Sequence, residues 1–225
     1  MNKTLTMPQQ AADSSSDATI KETINSMINE LIVSLPNPVQ LTSEGRRGII
    51  ARYTAVLEGN FIYWMTAAYI SVQSEEARTI IMENLHEEVR DAHPAMLRRF
   101  TIAAHAFPTD VDALAVDENL TKVRLFLGRL SGVQTVVMMA LFEGFIQRFM
   151  EYLTDLAIAQ GSVEREYTDV HGVCDIEHTE GLFRALAAEM EISPLAPEKD
   201  LYEGVHLLCA LIKDIVFNRR QSASN

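Results

Sequence analysis

Cysteine is nearly absent from this chain: Cys174 and Cys209 are the only two. Two thiols cannot build a disulfide framework or a thiolate metal cluster, which argues against an iron–sulfur centre or a structural zinc site and fits a reducing cytoplasm. Basic residues are also scarce, with 19 Lys and Arg against 31 Asp and Glu and a formal net charge of −12. Nucleic acid and anionic membrane surfaces both require a basic footprint, so neither is an expected partner. Long apolar runs are missing too. The longest, Val136 to Phe142, is too short to span a bilayer and runs on into Glu143, Gln147 and Arg148. The N-terminus has no basic region followed by an apolar one, so no secretory leader is expected. Strand signals are lacking as well, with no alternation of period two between hairpin turns and no internal repeat.

What is present is helical periodicity. With 48% hydrophobic residues in 225, the chain can bury one substantial core. Residues 1–17, with Pro8 and the Ser14-Ser15-Ser16 run, read as a loose tail, and residues 18–225 as a single helical domain. Ile20, Ile24, Met27, Ile28 and Leu31 recur at helical spacing, and Pro36 and Pro38 stop that helix. Thr42-Ser43-Glu44 opens a long helix expected to run to about Val72, with Glu58 interrupting its apolar stripe. Ser74 caps the next, and Pro94 begins another that Pro108 closes. The segment from about Asn119 to Ala159 breaks near Ser131-Gly132, after which a nearly all-round apolar helix carries Glu143. Helices from about Val163 to Glu189 and about Asp200 to Arg219 complete an all-α bundle of about seven helices.

One stretch concentrates chemistry. His171, Asp175 and His178 form the pattern His-x-x-x-Asp-x-x-His, and at roughly 100° per residue the three side chains leave one narrow helix face. Neutral imidazole with carboxylate suits a borderline divalent ion such as iron, manganese or zinc. Glu143 adds a carboxylate that is costly inside an apolar helix unless it is paired, protonated or bound to an ion. Two further assemblies compete. Glu83 and His86 make the Glu-x-x-His pair of ferritin-like diiron bundles, which would combine with Glu58, Glu143, Asp175 and His178 in an iron-handling protein. The other uses Asn84, Glu88 and His93, with Glu87 as the alternative carboxylate. On an unbroken helix Glu88 and His93 would point about 140° apart. Pro94, however, predicts a bend between Arg90 and His93 that can turn His93 inward.

With this second assembly the sequence resembles the heme-oxygenase-like diiron oxidases over about Tyr53 to Leu186. The matching positions are Glu58 in Val56-Leu57-Glu58-Gly59, Glu88 four residues after Asn84, His93, Glu143 in Leu141-Phe142-Glu143-Gly144, and His171, Asp175 and His178. The interval between Glu88 and His93 departs from that of several family members. The resemblance implies a heme-oxygenase-like bundle that binds two ferrous ions per chain through these seven residues. It also implies dioxygen as co-substrate and an oxidative reaction on an amino acid, fatty acid or amine, such as N-oxygenation, desaturation or carbon–carbon cleavage in specialised biosynthesis. A small-molecule substrate is then the expected partner, and a homodimer is left open. Arg52, Arg90 and Arg148 are candidate clamps for a substrate carboxylate. Tyr53, Phe61, Tyr63, Trp64, Met138, Met139, Phe142 and Tyr167 are candidate pocket walls that serve equally as core. A metal-free relative of the thiaminase branch of this fold would instead need Cys174 as nucleophile. A site crowded with carboxylates is poorly suited to a porphyrin.

Overall fold

The computed structural model describes the backbone of residues 10–217 and the side chains of residues 19–217. The first nine residues of the expected tail lie outside it. The described residues form nine α-helices and one 3-10 turn: α1 (Gln10–Val33), the turn Pro38–Gln40, α2 (Ser43–Leu57), α3 (Phe61–Ser71), α4 (Glu75–Arg90), α5 (His93–Ala103), α6 (Asp110–Leu127), α7 (Gly132–Ile158), α8 (Glu166–Ile192) and α9 (Glu203–Phe217). Among the described residues there is no strand.

Helix α7 is the axis of the bundle. Every residue from Gly132 to Ile146 is buried, so no face of that stretch meets water and neighbours must cover it on all sides. Helix α8 packs along it most extensively, with α1, α2, α3 and α9 around the remainder, and α4 and α5 close over α8. Buried apolar side chains from α1 to α9 join in a single cluster. The approach of α7 to its neighbours is close at Gly144, where a Cβ would stand 2.9 Å from Ile28 Cδ1 and 3.4 Å from Thr179 Cγ2.

The capping expectations hold. Thr42 accepts from the Gly45 amide at the start of α2, and Ser74 from the Ala77 amide at the start of α4. The long helix expected from Thr42 to Val72 is instead two. Gly59 takes φ 80°, a left-handed conformation that ends α2, and Asn60 fixes the corner. Its amide donates to the Val56 carbonyl at 2.8 Å while its side-chain oxygen accepts from Arg124 Nε at 2.9 Å. The apolar stripe continues on both sides of this break, which is why periodicity did not disclose it. The bend expected before Pro94 is present: α4 ends at Arg90, and Ala92 turns the chain with φ 57° and ψ 40° before α5 begins at His93.

Candidate metal centre

Helix α8 delivers His171, Asp175 and His178 to one buried face, as their spacing predicts. The ring orientations differ. His171 Nδ1 donates to the carbonyl of Tyr167 one turn earlier at 2.8 Å, leaving Nε2 to face inward. There Nε2 lies 3.8 Å from Glu88 Oε1. His93 Nδ1 stands 2.8 Å from that same oxygen, and the His93 and His171 rings meet at 4.5 Å between centroids. The left-handed Ala92 makes this meeting feasible by redirecting the chain between two side chains that a straight helix would splay. Burial alone would raise the Glu88 pKa, but His171 and His93 outweigh it and hold the carboxyl down at about 2.

A second group adjoins the first. Glu143, from the buried run of α7, places Oε2 3.9 Å from His178 Nδ1, and Asp175 Oδ1 lies 3.6 Å from the same nitrogen. Glu143 Oε1, Asp175 Oδ2 and His178 Nδ1 are buried without a hydrogen-bond partner. An orphaned buried polar atom costs roughly 1–3 kcal/mol, and interiors rarely leave several in one place. Here they converge from two helices, as donor atoms do around a cation. Burial and the neighbouring Asp175 charge raise the Glu143 pKa. The combined donors are the imidazoles of His93, His171 and His178 and the carboxylates of Glu88, Glu143 and Asp175. Such a set fits iron; Cys174 Sγ lies within 4.8 Å of donor atoms of Asp175 and His178.

Glu58 stands apart from these six. It is the C-cap of α2, part-exposed, and forms an ion pair with Arg98, whose Nε donates at 2.8 Å. It nonetheless lines the same narrow cavity as Glu88, His93, Glu143 and His171, a space of about 20 Å³ walled also by Phe61, Leu97 and Tyr167. Glu83 and His86 of the ferritin-like alternative face solvent on α4. Glu87 accepts from His178 Nε2 at 2.9 Å and so supports the ring from behind. Cys174 donates to Asp175 Oδ1 at 3.3 Å, and burial with the nearby carboxylates raises its pKa, so it rests as a thiol rather than a nucleophile.

Of the candidate walls, Phe61 and Tyr167 line the cavity, Tyr63 is exposed, and the rest belong to the core. Tyr53 and Tyr167 share a buried hydroxyl–hydroxyl hydrogen bond of 2.7 Å beside His171, a pairing that no sequence spacing announces. None of the three candidate arginine clamps reaches this cavity. Arg90 pairs with Asp91, Arg148 bonds Asn29, and Arg52 is buried against a different cavity.

Residues 50–211, well over half of the 225, match the model of a family described as an iron-containing redox enzyme. The chain belongs to that family. Its all-α fold is accordingly heme-oxygenase-like, and all seven predicted ligands fall within the matched region of this iron-containing redox enzyme. Comparison with curated proteins and with solved structures returns no match. Among the described residues, no helix is long and apolar enough to cross a membrane.

Proposed function

We propose that this iron-containing redox enzyme is a non-heme diiron oxidase or oxygenase that uses dioxygen to oxidise a small substrate, an amino acid or amine in specialised biosynthesis. The observation that carries the proposal is that Glu88 gathers with His93 and His171, while Glu143 and Asp175 stand 3.9 and 3.6 Å from His178 Nδ1 around buried atoms that lack protein partners. Each group would hold one ferrous ion, with Glu58 close enough along the cavity wall to complete the set. Bound iron would supply what no side chain can, the binding and reduction of dioxygen.

The chain's own residues prepare that chemistry. The Tyr167 carbonyl orients the His171 ring, and Glu87 orients His178, so each presents its other nitrogen inward. Phe61, Leu97 and Ile146 keep bulk water from the site. Burial holds the Tyr53 and Tyr167 hydroxyls neutral beside His171. The cavity leaves room for about one water, so a small substrate enters only as its walls move. Glu58, Ile62 and Pro94 are shared with a shallow outer depression that also carries Arg98, which marks the approach.

The test is anaerobic ferrous loading followed by metal analysis and oxygen addition. About two irons per chain and a transient visible absorption on mixing with oxygen are expected, with faster decay of the ferrous form when the right amino acid or amine is present. His178→Ala that retains full iron and oxygen reactivity would overturn the reading. Solvent-facing Glu83 and His86 remove the support for a ferritin-like arrangement, and the high-pKa thiol of Cys174 removes it for a thiaminase-like one.

A further inference from the structure

Arg52 is a buried cation whose charge is left over. Only 5% of the residue is exposed, and no carboxylate among the described residues lies within ion-pairing distance. Its Nε donates to the carbonyl of Ile215, in the last turn of α9, at 2.8 Å. That bond uses one of five N–H groups. The neighbouring cations are satisfied differently. Arg47 lays its fork on Asp112 at 3.1 and 3.2 Å, and Arg46 Nη1 donates to the Leu41 carbonyl at 2.5 Å. Asp112 is not free to turn toward Arg52, because Thr109 N and Oγ1 also bond its Oδ2, at 2.9 and 2.7 Å.

The outer face of the Arg52 guanidinium borders a cavity of about 910 Å³ between α2, α9 and the loop from α5 to α6. This cavity shares no lining residue with the one beside the metal donors. Its lining is mixed: Ile102, Phe107, Val111 and Phe217 are exposed there by 58%, 53%, 70% and 47%, beside His105 and the carboxylates of Glu44 and Asp112, both of which Arg47 pairs. Gly48 makes room for the charge. A Cβ at that position would stand 2.7 Å from Arg52 Nη1. A buried guanidinium fork below a ring of exposed apolar side chains is complementary to a molecule with one anionic head and an apolar body.

We infer that the cavity bordered by Arg52, Phe107 and Val111 is a second ligand site, which takes an amphiphilic organic anion with its carboxylate or phosphate head on Arg52. It is separate from the proposed oxidation site and does not depend on iron. An anion there pairs a buried guanidinium that has no carboxylate at ion-pairing distance among the described residues, and it covers apolar surface that water now wets.

The test is calorimetric titration of the full chain with octanoate, octyl phosphate, octanol and acetate. Octanoate or octyl phosphate should bind saturably, with the tighter of the two naming the head group. Octanol, which lacks the charge, and acetate, which lacks the body, should bind at least about tenfold more weakly. Arg52→Gln should weaken binding by a similar factor. Because a buried substitution can disturb folding, Gly48→Ala gives the second arm: it keeps every charge, raises helix propensity and displaces the fork, so it should weaken octanoate with thermal stability unchanged or higher. Arg129→Gln, remote from the cavity and paired with Glu203, should leave affinity unchanged. Absence of saturable binding, equal affinity for octanol and octanoate, or indifference to both Arg52→Gln and Gly48→Ala would overturn the inference.

Discussion

Glu87 and His178, 91 residues apart in sequence, meet at 2.9 Å through Oε2 and Nε2. The adjacent carboxylate, Glu88, meets His93 instead. Two consecutive acids on α4 therefore serve different histidines, one from outside the donor cluster and one from within it. A carboxylate behind a ligating imidazole fixes its orientation and raises its basicity, and its loss generally lowers metal affinity about 10- to 100-fold. Glu87→Ala should weaken ferrous binding by that order while leaving helix content intact, whereas Glu87→Gln, which still offers an acceptor oxygen, should lose less. Anaerobic competition with a chelator reads both. Equal affinity for wild type and Glu87→Ala would remove the role.

A set of alanine substitutions along α4 separates the inward acids from the outward ones. Glu83→Ala and His86→Ala change only solvent-facing groups, so iron content and stability should move little, within about 0.5 kcal/mol. Glu88→Ala or His93→Ala should cost about one iron per chain. The opposite pattern in metal analysis would restore the ferritin-like arrangement.

The late helix and the central carboxylate were legible because their signals are local. His171, Asp175 and His178 share a face by helical arithmetic, and Glu143 stands out in an apolar run that leaves it no polar side. The corner before Pro94 followed from proline sterics. Other features depend on neighbours distant in sequence. Nothing near Glu58 announces Arg98, nothing near Glu87 announces His178, and the break at Gly59 is fixed by Arg124 from another helix. The charge of Arg52 is visible in the sequence, whereas the cavity it borders, formed with α9 and the loop from α5 to α6, is not.

Ordering of α8 by iron is measurable by hydrogen exchange. His178 Nδ1, Asp175 Oδ2 and Glu143 Oε1 have no hydrogen-bond partner in the protein, and Gly172 lowers helix propensity within the donor segment. Ferrous iron should slow amide exchange of residues 171–178 selectively, with little change in α9. Identical protection with and without iron would show that the helix is fully set in advance.

Acid should act on the α6 cap. Burial raises the Asp112 pKa, but Arg47 and the Thr109 side chain and amide outweigh it, and the net shift is downward. A depressed folded-state pKa means that the unfolded chain binds more protons in acid. The stabilisation is complete above the unfolded carboxyl value of about 3.9 and is lost as pH falls through the lower folded value. Asp112→Asn should cost roughly 1–3 kcal/mol at pH 7, with the gap to wild type narrowing as pH falls below the unfolded carboxyl value of about 3.9. Urea titrations of both proteins across that range check it. A gap that stays constant through the whole acid range in which the protein remains folded would show that the carboxylate charge is not its source.

The left-handed Ala92 changes what a ligand motif means in this chain. Between Glu88 and His93 the backbone leaves helical geometry at Ala92, so helical spacing does not set the distance between the two side chains. A chain with a residue added or removed there can restore the same pair if it again finds a left-handed position ahead of the proline. What brings these two side chains together is thus a corner rather than a spacing. A text pattern with a fixed gap would discard relatives whose geometry is unchanged.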